Sequence, residues 1–209
     1  MPNTVTRETR PVAVSRKQSH IIRTTYRAIS EKGVHRVSLQ EIAERAGVSK
    51  GIILYHFNTK DNLILKTMEW VLERNADRIR KAIATESNPT RQVRVMIETI
   101  FLNPDSNRRF YLTYLDLLDH AARVAEFSKL NATFHSIVNG LYADVIRSGV
   151  EVGEFQVDDV DEAAYTLRAI VDGLFLQWVQ EDDWRAQHSR FRQMCERAVL
   201  TSLGTSPRT

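Results

Sequence analysis

Residues 38–60, SLQEIAERAGVSKGIILYHFNTK, leave the chain little freedom in how to fold. Ser38 and Glu41 have the S-x-x-E spacing of a capping box, which starts a helix at Leu39. Leu39, Ile42, Ala43 and Ala46 give that helix an apolar face at i, i+3, i+4, i+7. Gly47 stands where it must stop, because glycine enters the left-handed region at little cost. Val48 plugs the angle that follows, and Ser49 caps a second helix from Lys50 to about Phe57, with Ile53 and Phe57 turned inward. Lys50, Gly51, Ile52, Leu54, Tyr55 and His56 are left outside. That mixture of small, apolar, aromatic and basic groups asks for a partner. A helix-turn-helix places such a face in the major groove of DNA. The plainer alternative is two capped surface helices in an all-α domain.

The same residues carry a family likeness. IAERAGVSKGIILYHFNTKDNL, from Ile42 to Leu63, resembles the N-terminal signature of the tetracycline-repressor (TetR) family of bacterial regulators. IIRTTYRAISEKG, from Ile21 to Gly33, is similar to that family's first helix. The I-V-D-G-L run near residue 172 resembles choline-responsive, BetI-like members. The resemblance implies a homodimeric repressor that binds a palindromic operator on double-stranded DNA and is released by a small-molecule effector. In one place the chain departs from the family pattern: the usual Thr and first Tyr of T-L-Y-x-H-F are Ile52 and Leu54, so the base-reading face is more apolar and no base preference carries over.

Candidate DNA contacts follow. Ser38, Ser49, Lys50, Tyr55, His56 and Lys60 can donate to phosphate oxygens, and Tyr55, His56 and Lys60 match the family's Y-H-F-x-x-K positions. Lys50, Gly51, Ile52 and Leu54 are the candidates for base edges. Lysine reaches guanine, apolar groups meet a thymine methyl, and glycine lets the helix approach closely. Charge agrees with this placement. Residues 1–60 hold eleven Lys/Arg against four Asp/Glu, whereas residues 61–209 hold eighteen against twenty-two. A basic head on an acidic body suits a module that binds phosphate.

The rest of the chain reads as all-α, about nine helices in total. Residues 1–14 lack any period and contain Pro2 and Pro11, which marks a disordered arm. A helix over 15–32 completes the DNA-binding domain at residue 60, and residues 61–209 form an effector-binding and dimerisation domain. Its helices are expected at 60–84, from residue 89 or 90, then at 108–124, 127–148, 160–180 and 184–203, with 103–107 a plain loop. No strand pattern and no internal repeat interrupts them.

Aromatic and polar groups gather on the middle helices, where the resemblance implies an effector pocket. Phe101, Phe110, Tyr111, Tyr114, Leu118, Phe134, Tyr142 and Trp178 are candidates to line it, although any single one of them fits an aromatic-rich bundle core better. Asp172 stands inside A-I-V-D-G-L-F-L, and three readings are open: it binds a cationic ligand, caps a neighbouring backbone group, or points outward. The helix at 160–180 is apolar nearly all round from Ala169 to Val179 and needs cover on two sides. Leu167, Val171, Gly173 and Leu174, joined by Phe191, Met194 and Ala198 from the last helix, are the expected two-fold dimer interface.

Other functions find little support. The chain has no G-x-S-x-G, no H-E-x-x-H and no glycine-rich phosphate loop, and its six histidines are scattered, so neither catalysis nor a bound metal or cofactor is expected. The single cysteine, Cys195, sits at an apolar helical position and reads as a buried thiol. With no run of 18 apolar residues and no signal-peptide pattern, a cytoplasmic protein with no membrane partner is expected. An architectural, ligand-independent DNA-binding protein is the alternative, and a helical-bundle enzyme the third reading.

Overall fold

A computed structural model describes residues 15–123, 132 and 135–205. The arm expected at 1–14 and the pocket candidate Phe134 lie outside the described residues. Among the described residues, nine α-helices and no strand are found: α1 Arg16–Lys32, α2 Leu39–Ala46, α3 Lys50–Phe57, α4 Lys60–Ile83, α5 Pro89–Ile100, α6 Pro104–Arg123, α7 Gly140–Glu151, α8 Val160–Trp178 and α9 Trp184–Ser202.

Local chemistry sets the helix ends. Ser15 and Gln18 form a reciprocal capping box at α1. At α2 only half of the expected box exists. The Ser38 hydroxyl accepts the Glu41 N–H at 3.1 Å, but the Glu41 carboxylate lies 2.7 Å from Lys32 Nζ and 2.8 Å from Arg45. Two cations compete better for a carboxylate than one backbone amide does. Gly47 ends α2 at φ 63°, and Asn58 ends α3 at φ 62°, a positive value that asparagine tolerates better than most residues.

Two expectations are corrected. Residues 103–107 are not a plain loop. Asn103 accepts the Ser106 N–H at 2.8 Å, and Pro104 opens α6. Proline is at home in a first turn, where its missing N–H would have had no partner. The helix expected at 127–148 instead shows one π-helical turn, His135–Asn139, running into α7, which continues to Glu151. An extra residue per turn is invisible to a 3.6-residue period.

The helices bury two cores. The smaller gathers Ile21, Ile22 and Ala28 of α1 with Val37, Ile42, Ala43, Ala46, Ile53, Phe57 and Leu63. The larger takes in α4–α9 and also claims Ile29, Val34 and Ile64. The division therefore falls between consecutive residues, Ala28 and Ile29 on α1 and Leu63 and Ile64 on α4, and both helices belong to both cores. Cys195 is fully buried in the larger core, and burial pushes its thiol up to about 12.

After α7 the chain turns at Gly153 (φ 74°) and lays the buried Phe155 ring over Gly149. A Cβ at position 149 would stand 2.0 Å from that ring. Gly149→Ala is therefore expected to destabilise the fold by about 1–3 kcal/mol through overpacking, and urea denaturation measures it. An unchanged unfolding midpoint would show that the ring moves aside freely.

Candidate nucleic-acid interface and ligand pocket

Helices α2 and α3 present the sequence-expected face to solvent. Tyr55 is 83% exposed and Leu54 37%. Lys50, Gly51, Ser38 and Ser49 are exposed, and Ile52 and His56 are half-buried. The rings of Tyr55 and His56 meet edge to face at 5.2 Å. Both serines serve as N-caps, accepting the N–H of Glu41 and Ile52 at 3.1 and 3.3 Å. Each hydroxyl proton remains available to an outside acceptor. Ile52 is split between two roles, since it also packs on the smaller core. Lys60 differs most from its expected place. It is half-buried, and its ammonium donates to the Val34 carbonyl at 3.0 Å, so it braces the α1–α2 connection.

A pocket of about 370 Å³ opens on the body between α4, α6, α7 and α8. Of the sequence candidates, Phe110, Tyr111, Tyr114, Tyr142 and Asp172 line it. Phe101, Leu118 and Trp178 do not. Phe101 stacks on Phe175 at 4.3 Å from behind, and Phe175 is the residue that reaches the wall. Trp178 is fully buried, set edge-on to Phe175 at 5.7 Å, with its indole N–H on the Trp184 carbonyl at 2.6 Å. Leu118 lies one turn beyond Tyr114, half-buried against the main core. Helical periodicity finds the inward face but does not separate a pocket wall from the layer behind it.

Asp172 sits at the centre of the polar groups in this pocket. The Tyr111 hydroxyl lies 2.7 Å from its backbone carbonyl and 3.2 Å from its carboxylate. Tyr114 is 3.5 Å from the other oxygen, and the Arg168 Nε 3.4 Å. Arg168 also reaches Tyr114 and the Asn139 side-chain oxygen, each at 3.4 Å. Burial raises the Asp172 carboxyl above the usual carboxylate value, more than Arg168 and the two phenols lower it. Burial, with the Asp172 charge second, raises Tyr111, Tyr114 and Tyr142, so these phenols stay protonated as donors. Burial pulls the Arg168 guanidinium down, but Tyr114 and Asp172 together more than offset it.

Comparison with known proteins places both parts. The family model described as "Bacterial regulatory proteins, tetR family" matches residues 21–67, and that of the "BetI-type transcriptional repressor, C-terminal" matches residues 89–204. The chain belongs to the TetR family. A BetI regulator of Yersinia pestis (strain Pestoides F) is 31% identical over 164 residues, 77% of this chain and 80% of the relative. One from Pseudomonas paraeruginosa is 28% identical over 166 residues, with the same 77% and 80% coverage. Among solved structures, a protein from Saccharomonospora viridis in complex with choline has TM-score 0.73 at 24% identity, covering 87% of this chain and 94% of its own. A TetR regulator from Haloarcula marismortui has TM-score 0.74 at 23% identity, covering 90% and 96%. This TetR-family chain is a DNA-binding transcriptional regulator and not an enzyme. No described helix is long and apolar enough to cross a membrane.

Three expected dimer residues of this TetR protein need correction. Leu167, Val171 and Phe191 are 0%, 5% and 4% exposed, packed into the core of their own chain, and Val171 also lines the pocket. Gly173, Leu174, Met194 and Ala198 are half-buried. The outward stripe of α8 runs instead through Ala169, Gly173 and Leu176, the last 46% exposed, and a Cβ at Gly173 would meet nothing within 4 Å. The sequence reading also missed Trp70, Arg74, Arg78, Arg109, Arg168 and Phe175 in the pocket. The R-x-x-x-D spacing of Arg168 and Asp172 was a readable ion-pair signal.

Because the folded Asp172 carboxyl titrates above its unfolded value, folding favours its neutral form. That contribution is complete below the unfolded value of about 4 and is lost as pH rises through the folded one. Asp172→Asn, which does not ionise, should therefore gain thermal stability relative to the native chain on going from pH 4 to pH 7. Parallel melting curves at the two pH values check it, and a relative loss at pH 7 would mean that the Arg168 pair outweighs burial.

Proposed function

We propose that this regulator binds a two-fold operator as a homodimer in the cytoplasm, represses from it, and is released when a small molecule fills the body pocket. The observation that carries the reading is the continuity of α4. It begins at Lys60 against the helix-turn-helix and supplies Trp70 to Ile79 to the pocket wall. Helix α6 makes the same link in the opposite chain direction, lining the pocket with Tyr111 and Tyr114 and then reaching the head through Asp116, which accepts the Val34 N–H. A ligand that displaces either helix moves the head with it. The ligand must favour the displaced state, and a coupling of roughly 1–3 kcal/mol lowers DNA affinity about 5–150-fold.

The recognition surface has a division of labour. Tyr55, Lys50, His56, Ser38 and Ser49 are assigned to phosphates, with Lys60 both a strut and a phosphate contact. Ile52, Leu54 and Gly51 are assigned to base edges. Choline, which occupies the Saccharomonospora viridis relative, is one candidate effector, since a carboxylate among aromatic rings suits a quaternary ammonium. Here, however, Asp172 already has Arg168 beside it.

Dimerisation is assigned to the outward stripe of α8 with Met194 and Ala198 of α9, and two recognition helices then reach successive major grooves about 34–36 Å apart. Leu176→Asp should give monomers with native helix content and little operator binding. Sedimentation and circular dichroism check this, and a Leu176→Asp dimer of undiminished operator affinity would move the interface elsewhere. Tyr55→Phe should weaken all DNA sequences alike, by about 3–10-fold, whereas Ile52 and Leu54 substitutions should change which sequences are selected from a random pool. A Tyr55→Phe change confined to particular sequences would reassign Tyr55 to base readout.

A further inference from the structure

The charge of the pocket carries an inference that rests on the regulator reading above and names its ligand class. Among the described residues, four guanidinium groups line the cavity, Arg74, Arg78, Arg109 and Arg168, against the single carboxylate of Asp172. Asp172 is already served by Arg168 at 3.4 Å and by the phenols of Tyr111 and Tyr114. An incoming cation would have to share that carboxylate with the guanidinium already beside it.

The other three arginines stand differently. None of them is ion-paired among the described residues. Arg74 lies 5.6 Å over the Trp70 ring, and Arg78 reaches only the Thr99 carbonyl, at 3.4 Å. All three are solvent-exposed on the rim, whereas Arg168 and Asp172 are half-buried. Arg74 and Arg78 stand one turn apart on α4. Burial, and then the neighbouring Arg74 charge, pull the Arg78 guanidinium below its usual range. Like charges without a counterion lose their mutual repulsion when an anion enters between them. A planar guanidinium is also the group best shaped for a carboxylate.

Much of the remaining lining is apolar, with Trp70, Ile79, Phe110, Leu141 and Phe175 among it. At about 370 Å³ the cavity is at the lower end for small-molecule sites, enough for one compact ligand. We infer that the ligand is an amphipathic organic acid, its carboxylate held by Arg74, Arg78 and Arg109 at the rim and its apolar body enclosed by the aromatic wall. Asp172 and its phenols then accept a neutral hydrogen-bonding group on the body, or none.

The test uses one tail and three heads. Octanoate, octanol and octyltrimethylammonium, each below its micelle-forming concentration, are titrated by calorimetry into the full chain and into an Arg74→Gln/Arg78→Gln variant. The expected order is octanoate tightest and octyltrimethylammonium weakest. The variant should bind octanoate about tenfold or more weakly, the loss of a charge-assisted contact, and octanol as before. Both arginines are exposed, and circular dichroism verifies that the variant is folded. An octyltrimethylammonium affinity equal to or above that of octanoate overturns the proposal. So do equal affinities for octanoate and octanol, a variant that weakens all three alike, or no binding by any of the three. A mobility shift on operator DNA separates this from the regulator reading. Octanoate that binds through the arginines but leaves the operator complex intact upholds the ligand class and contradicts the coupling.

Discussion

Val34 is held through both of its backbone polar groups. Its N–H is taken by the Asp116 carboxylate of α6, its carbonyl accepts the Lys60 ammonium of α4 at 3.0 Å, and its side chain is fully buried in the body core. A residue of the α1–α2 connection is thereby fixed by two helices of the body. Around it, His120 lies 3.1 Å from Asp61, His35 lies 3.6 Å from Asp119, and the two imidazoles meet edge to face at 5.3 Å. Thr113 of α6 adds a hydrogen bond of 3.1 Å to Ser30 of α1. Two part-buried backbone groups bonded to charged side chains are costly to separate from them, because each would be left unpaired.

The same two helices bound the pocket. Tyr111 and Tyr114 on α6 lie within two turns before Asp116, and Trp70 to Ile79 on α4 follow Lys60 without a break. Interiors packed in this way respond to displacement as coupled bodies, since closely fitted side chains do not deform continuously. The head's own core is small, and α1 must contribute Ile29 to the body and Ile21 to the head. Two short helices alone would bury too little to persist. Sharing helices thus stabilises the head and, in the same contacts, fastens it to the helices that line the pocket.

Much of this was legible in the sequence, for identifiable reasons. The turn at Gly47, the cap at Ser49 and the inward pair Ile53 and Phe57 depend on neighbours within one or two turns, and local pattern captures those. What escaped depends on contacts between distant residues. Lys60 reads as a free basic group, but its partner Val34 is 26 residues away. Val171 and Leu167 read as exposed apolar surplus, yet they are covered by their own chain. Phe175, Phe101 and Trp178 share one aromatic stack, and only its depth order decides which ring meets a ligand. Arg74 and Arg78 lie outside the apolar stripe of α4 and Arg109 is exposed on α6, where helical period alone assigns all three to solvent.

If the Val34 clasp sets where the recognition helices stand, loosening it must spread their separation. The direct measurement is the distance between two nitroxide labels, one on each subunit of a Glu44→Cys dimer, read by pulsed electron resonance. Glu44 is exposed on α2, and the native thiol of Cys195 is buried and held at about 12, so labelling is selective. With the clasp intact the distribution should be narrow. With Asp116→Ala added it should broaden by several ångströms, while circular dichroism shows each head still folded. An Asp116→Ala dimer with the same narrow distribution would show that the heads are placed by something other than this clasp.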